Sequence, residues 1–170
     1  MKVTLEETQF KDLIRLFNKF HKEAEKCFEC EAYLATCVIA AAELEAMLLV
    51  VADLFESETK EAIKKLKLKQ KDITKFGLYN LLQIAFKAGW IPFSGVEKPS
   101  KSALLGDWLL NYVKELRNWI HPGKKIRKYT GMRITKKRAE VVLKLVEETR
   151  EILLQKITRS IMEELKKEIL

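Results

Sequence analysis

The stretch AYLATCVIAAAELEAMLLVVADLF, residues 32–55, constrains the fold more than any other part of this chain. It holds no glycine or proline, and it is too long for a strand. Read as a helix from about 30 to 55, it is apolar on nearly every side: Tyr33, Leu34, Val38, Ile39, Ala42, Leu44, Met47, Leu48, Val51 and Leu54. A helix apolar all round belongs at the centre of a bundle or in an interface. Glu43, Glu45 and Asp53 interrupt the run. A membrane span tolerates such residues poorly, so the sequence points to a bundle and to no membrane partner.

The remaining segments supply what would surround such a helix. Thr4 and Glu7 form a capping-box pattern that starts a first helix near Leu5, with Phe10, Leu13, Ile14, Phe17, Phe20 and Ala24 on one face. No glycine or proline separates it from the second helix, so only a slight break is expected there. Residues 57–74 are lysine-rich and weakly patterned, with room for a short helix. A third main helix is expected over about 76–88, stopped by Gly89. Pro92, Gly95 and Pro99 mark a loop over 90–101. A fourth helix is expected over about 101–119, presenting Leu104, Trp108, Leu109, Tyr112, Val113 and Leu116. Thr135 then caps a final helix of about 50 Å if unbroken. The expectation is one domain over 1–170, all-α: an antiparallel bundle of four to five main helices with a long C-terminal helix.

Composition narrows the class of partner. The chain carries a net charge of +8 and a pI near 9.3. That balance favours polyanions, although Lys- and Glu-rich surfaces also occur in proteins built for heat. Three cysteines, an odd number, fit a reducing compartment. Met1 to Glu7 is polar, without the apolar run of a signal peptide, and the expected location is cytoplasmic. Cys27 and Cys30 form a lone CxxC. Even with His21 and Cys37 added, a continuous helix does not close four ligands around zinc, so these read as helix cysteines. His21, between Lys19 and Lys22, reads as a surface residue. There is no phosphate-binding glycine loop, zincin motif or serine nucleophile motif, and no cofactor is expected.

The second of the two histidines stands in ELRNWIHPGKK, residues 115–125. Pro122 disfavours the α conformation at His121, so a helix should end there. Arg117 and His121 are spaced i, i+4 on that last turn, with Asn118 beside them. One reading is a helix ending: a histidine favoured by the dipole and an arginine bonding the last carbonyls. The other is chemistry on RNA. A histidine near neutral pKa can move the 2′-hydroxyl proton, and an arginine can hold the phosphate with two donors. RNA carries its own nucleophile, so no metal is required. From Lys124 to Arg138 follow eight basic residues and no acid: Lys124, Lys125, Arg127, Lys128, Arg133, Lys136, Lys137 and Arg138. Beside the motif, the run reads either as solvated surface or as a polyanion-binding one.

RNWIHPG after an apolar helix resembles the signature of the HEPN superfamily (the higher eukaryotes and prokaryotes nucleotide-binding domain). The alanine-rich second helix with its Leu-Glu, LYNLLQIAFKAGWI and RITKKRAEVVLKLVEETREIL are similar to the family's other helices. The resemblance covers about 28–154. It implies an α-helical bundle, typically dimeric. Many members are metal-independent endoribonucleases of toxin–antitoxin, defence or RNA-processing systems. Others are catalytically silent modules that bind nucleotides, RNA or proteins. Carried over, Arg117 holds phosphate, His121 is the acid or base, and Asn118 is the supporting polar residue. By its place beside the motif, and not by the resemblance, the basic run offers Lys124, Lys125, Arg127, Lys128 and Arg133 as the nucleic-acid contacts. The implied partners are a second copy, RNA or a nucleotide, and a nucleotidyltransferase-type antitoxin. The chain departs from the family in one respect. Three residues separate Arg117 from His121, where the family has four to six, and one residue turns a side chain by about 100°. Both readings therefore stand, an endoribonuclease and a silent binding module.

A dimer is expected on the residues as well. The second helix has apolar faces to spare. Trp108, Tyr112 and Trp119 add aromatic surface, and Ile157, Ile161, Leu165 and Ile169 continue a stripe beyond the core.

Overall fold

A computed structural model describes residues 4–70, 72–95, 98, 100–101, 103–120 and 134–169, with the side chains of 117–120 and 168–169 left aside. Among these residues there are six α-helices, one 3₁₀ turn and no strand. The chain is an antiparallel helical bundle.

Helix α1 spans Glu7–Glu29. Its cap differs from the expected one. Glu6 is the N-cap, and Gln9 Oε1 accepts from the Glu6 N–H at 3.1 Å. Thr4 instead donates its hydroxyl to Glu56 at 3.1 Å, and the Leu5 N–H donates to Asp53 Oδ1 at 2.6 Å. These two bonds pin residues 4 and 5 to the junction where the second helix gives way to the third.

The break after α1 is a full reversal. Glu31 adopts φ 59°. The Glu31 N–H donates to the Phe28 carbonyl and the Ala32 N–H to the Cys27 carbonyl. This is a Schellman ending built on glutamate where glycine is usual, which is why no glycine announced it. The chain returns as α2, Tyr33–Leu54.

By length and hydropathy α2 alone among the described residues passes as a membrane span, yet 67% of its most apolar window is buried inside the fold. It is the central helix, packed on α1 and on every later helix. Leu44, Leu48 and Val51 are fully enclosed. Each such side chain contributes about 1.5–3 kcal/mol relative to exposure. The acids of α2 have structural employment. Glu45 Oε2 accepts from the Leu78 N–H at 3.1 Å and so caps the helix that begins there. Burial raises the Glu45 carboxyl above its usual range, and that N–H draws it partly back.

The chain bends at Phe55, where the Thr59 hydroxyl donates to the carbonyls of Ala52 and Phe55, and α3, Glu56–Lys65, follows. It is the helix that the weak pattern over 57–74 left open. It ends in a second Schellman turn, with Lys67 at φ 54°. A 3₁₀ turn, Ile73–Lys75, leads to α4, Leu78–Lys87, which stops at Gly89 with φ 74° as its sequence indicated. Phe93 of the following loop stacks on Phe86 at 4.4 Å. Helix α5 spans Leu105–Ile120 and α6 spans Lys136–Ile169.

Candidate functional site

Helix α5 carries the motif, and three contacts fix its position. At its start the Gly106 N–H donates to the Pro92 carbonyl at 2.9 Å, and a Cβ at Gly106 would lie 2.5 Å from that oxygen. Asp107, fully buried, accepts from the Ser94 hydroxyl at 2.6 Å and from its N–H at 3.2 Å. In the middle, the Tyr112 hydroxyl donates to the Cys37 carbonyl of α2. Leu109, Tyr112 and Leu116 form the inward face. Tyr112 is therefore core, and the reading of it as interface surface is corrected: it is only 4% exposed. Trp108 is half-buried on the adjoining face.

Arg117 and Asn118 stand in the last turn of this anchored helix, which runs to Ile120. Their side chains, and Trp119's, lie outside the description. His121, Lys124, Lys125, Arg127, Lys128 and Arg133 lie outside the described residues altogether. Of the basic run, Lys136, Lys137 and Arg138 are described. They form the first turn of α6, which Thr135 caps through a 3.4 Å bond from the Arg138 N–H. Helix starts favour acids, and this one has none in its first turn. Arg138 reaches the α2–α5 contact. Burial pushes the Cys37 thiol up to about 11, and the Arg138 charge opposes that rise.

Between α5 and α6 lies a cavity of about 380 Å³. Trp108, Asn111 and Glu115 line one wall, and Lys137, Arg138 and Val141 the other. On α5 these wall positions recur at i, i+3 and i+7. The wall ends at Glu115, two positions before Arg117 in the sequence.

A second polar cluster was not legible in the sequence. His21, read as a surface residue, is half-buried and bridges three helices. Its Nδ1 lies 3.1 Å from Glu43 Oε1, and its Nε2 lies 3.2 Å from Arg150 Nη1. Glu43 is 1% exposed. Burial raises its carboxyl above the usual range, against the pull of His21 and Arg150. Arg150 also lies 5.2 Å from the Phe17 ring centre and 3.5 Å from Glu147. The cluster borders an open cavity of about 510 Å³ with Glu25, Lys144, Glu148 and Glu151. Both ring nitrogens of His21 are engaged, Nδ1 by Glu43 and Nε2 by Arg150, with Glu25 3.8 Å from Nε2. The evident role of His21 is to tie α1, α2 and α6 together.

Cys27 is half-buried, Cys30 exposed and Cys37 buried. Among the described residues, no group of three or more His, Cys, Asp or Glu side chains is placed to hold a metal ion. Comparison with known proteins finds no matching family model, no matching curated protein and no matching solved structure.

Proposed function

We propose that this chain is a HEPN-like, metal-independent endoribonuclease, with Arg117, Asn118 and His121 as its reacting group. The observation that carries the reading is the placement of Arg117 and Asn118 in the last turn of a firmly anchored helix, whose Glu115 lines one cavity with Lys137 and Arg138 of the basic first turn of α6. Such a juxtaposition suits a polyanion whose backbone is held by Lys and Arg.

In this mechanism Arg117 holds the non-bridging oxygens of the scissile phosphate, and Asn118 supports that contact. His121 takes the proton of the ribose 2′-hydroxyl. The 2′-oxygen attacks phosphorus, the bond to the 5′-oxygen breaks, and that oxygen leaves with a proton. A second His121, from a second copy of the chain, supplies it. The products are a 2′,3′-cyclic phosphate and a 5′-hydroxyl end. The apolar groove of about 650 Å³ lined by Leu13, Leu16, Val38, Tyr79, Val113 and Leu116 supports a second copy, because it runs along α5 up to the turn before Arg117. Leu16, Val38 and Tyr79 are each about two-fifths exposed there.

A silent HEPN-like binding module is the second reading. The three-residue spacing from Arg117 to His121 favours it. The deciding experiment incubates the wild-type chain and a His121→Ala variant with single-stranded RNA. Cleavage by the first and not by the second supports the enzyme. Binding by both without cleavage supports the module.

A further inference from the structure

We infer that Cys27 and Cys30 form a thiol–disulfide exchange site: they react with small-molecule disulfides and close into an intramolecular disulfide at the end of α1. Neither residue belongs to the proposed nuclease group. Placed on one continuous helix, the pair reads as structural. The fold instead ends α1 at Glu29 and makes Cys30 the C-cap, with φ −81° and ψ 11°. Cys30 is exposed, and Cys27, one turn earlier, is half-buried. The third thiol, Cys37, is buried, and burial pushes it up to about 11. The thiolate is the nucleophile in such exchange, so Cys37 is excluded both by access and by protonation.

The Cys30 N–H still donates to the Lys26 carbonyl at 3.0 Å, so the helical path persists to Cys30. Helical geometry puts Cα atoms three positions apart at about 5 Å, inside the range that a disulfide spans. Their Cβ atoms lie about 5–6 Å apart on a helix, and a disulfide needs about 3.5–4.5 Å. Closure therefore draws the pair together by roughly 1–2 Å. That movement falls on the reversal into α2. The Cys27 carbonyl accepts from the Ala32 N–H at 2.8 Å, and the Phe28 carbonyl accepts from the Glu31 N–H at 3.0 Å, with Glu31 at φ 59°. Phe28, between the cysteines, lies 5.7 Å from the Tyr33 ring and 5.9 Å from Lys136 Nζ. Oxidation of the pair therefore reaches the start of α2 and the first turn of α6.

Cys30 reacts first, because it is the exposed residue of the pair. Its thiolate bonds to one sulfur of the incoming disulfide, the old S–S bond breaks, and the released thiol takes up a proton. The Cys27 thiolate then bonds to the Cys30 sulfur and expels the second thiol. One external disulfide is reduced to two thiols, the two cysteines are oxidised to one disulfide, and their two protons pass to the leaving thiols.

The test treats the full chain, folded and fully reduced, with oxidised glutathione and maps its peptides without reductant. The expected product is a Cys27–Cys30 disulfide with Cys37 still a thiol. Cys27→Ser should stop the reaction at a mixed disulfide of glutathione on Cys30, because no neighbouring thiol remains to expel it. Cys30→Ser should slow the reaction on the order of tenfold, since the half-buried Cys27 must then attack first. Cys37→Ser should react as the wild type does. Amide hydrogen exchange at Glu31 and Ala32 should differ between the reduced and oxidised proteins on the order of tenfold. No reaction, a stable glutathione adduct on wild-type Cys30, a Cys30 bond between two copies, or Cys37 reacting as readily as Cys30 overturns the site. Identical exchange at Glu31 and Ala32 in the two forms overturns its link to the reversal.

Discussion

The Tyr112 hydroxyl of α5 donates to the Cys37 carbonyl of α2, 75 positions away in the chain. This bond fixes the helix that carries Arg117 against the helix at the centre of the fold. A buried hydrogen bond of this kind contributes about 0.5–1.5 kcal/mol. Tyr112→Phe keeps the ring and removes the bond. Urea denaturation should show a loss of that size with an unchanged slope. An unaltered midpoint would mean that the contact contributes nothing to the anchoring of α5.

Glu43 makes stability depend on pH. Its carboxyl is raised in the fold, chiefly by burial. The folded state therefore holds the proton more tightly than the unfolded chain does. Its contribution is fully present below the ordinary value of 4.5 and is lost as pH rises through the raised folded value. Glu43→Gln keeps an acceptor for His21 and removes the titration. The stability of Glu43→Gln relative to wild type should rise as the pH is raised from 4.5 towards neutrality. Parallel stability curves for the two proteins over that interval would contradict this assignment.

The central place of α2 was legible as one of two options, bundle centre or interface, because a helix apolar on every side has to be covered. The stop at Gly89 was legible because glycine suits φ 74°. The reversal at Glu31 and the turn at Lys67 were not, because each puts an ordinary residue in the left-handed region and the surrounding packing holds it there. Thr4 matched a capping pattern, but Gln9 caps from inside the helix while Thr4 bonds to Glu56. His21 was misread for a different reason. Its partners Glu43 and Arg150 lie 22 and 129 positions away, and no local pattern brings them together. Of the candidate site, the sequence supplied the helix ending and the basic turn. The cavity that Trp108 and Lys137 both line depends on how α5 packs on α6.

The basic segment should govern salt dependence. Neutralising Lys124, Lys125, Arg127 and Lys128 should weaken RNA binding and flatten its salt dependence. The log–log slope should fall by about 0.7 for each phosphate that the segment no longer neutralises. Fluorescence anisotropy at several salt concentrations measures it. An unchanged affinity and slope would make the segment a solvated surface.

A second copy should cover the apolar surface left over. Leu34, Val38, Leu16 and Tyr79 remain exposed on the bundle, and Ile161, Met162 and Leu165 on the far end of α6. Light scattering at micromolar concentration should give about 40 kDa, twice the 19.8 kDa of one chain. Val38→Glu should shift the mass towards one chain without unfolding it, because Val38 is 40% exposed. A wild-type mass equal to the 19.8 kDa of one chain would contradict the composite site.

The central claim is RNA cleavage by Arg117 and His121 without a metal ion. The direct measurement is cleavage of single-stranded RNA in excess EDTA, with the product ends identified. The account predicts undiminished cleavage, 2′,3′-cyclic phosphate ends, and loss of activity in His121→Ala and Arg117→Ala. Cleavage abolished by EDTA and restored by Mg²⁺ would contradict it.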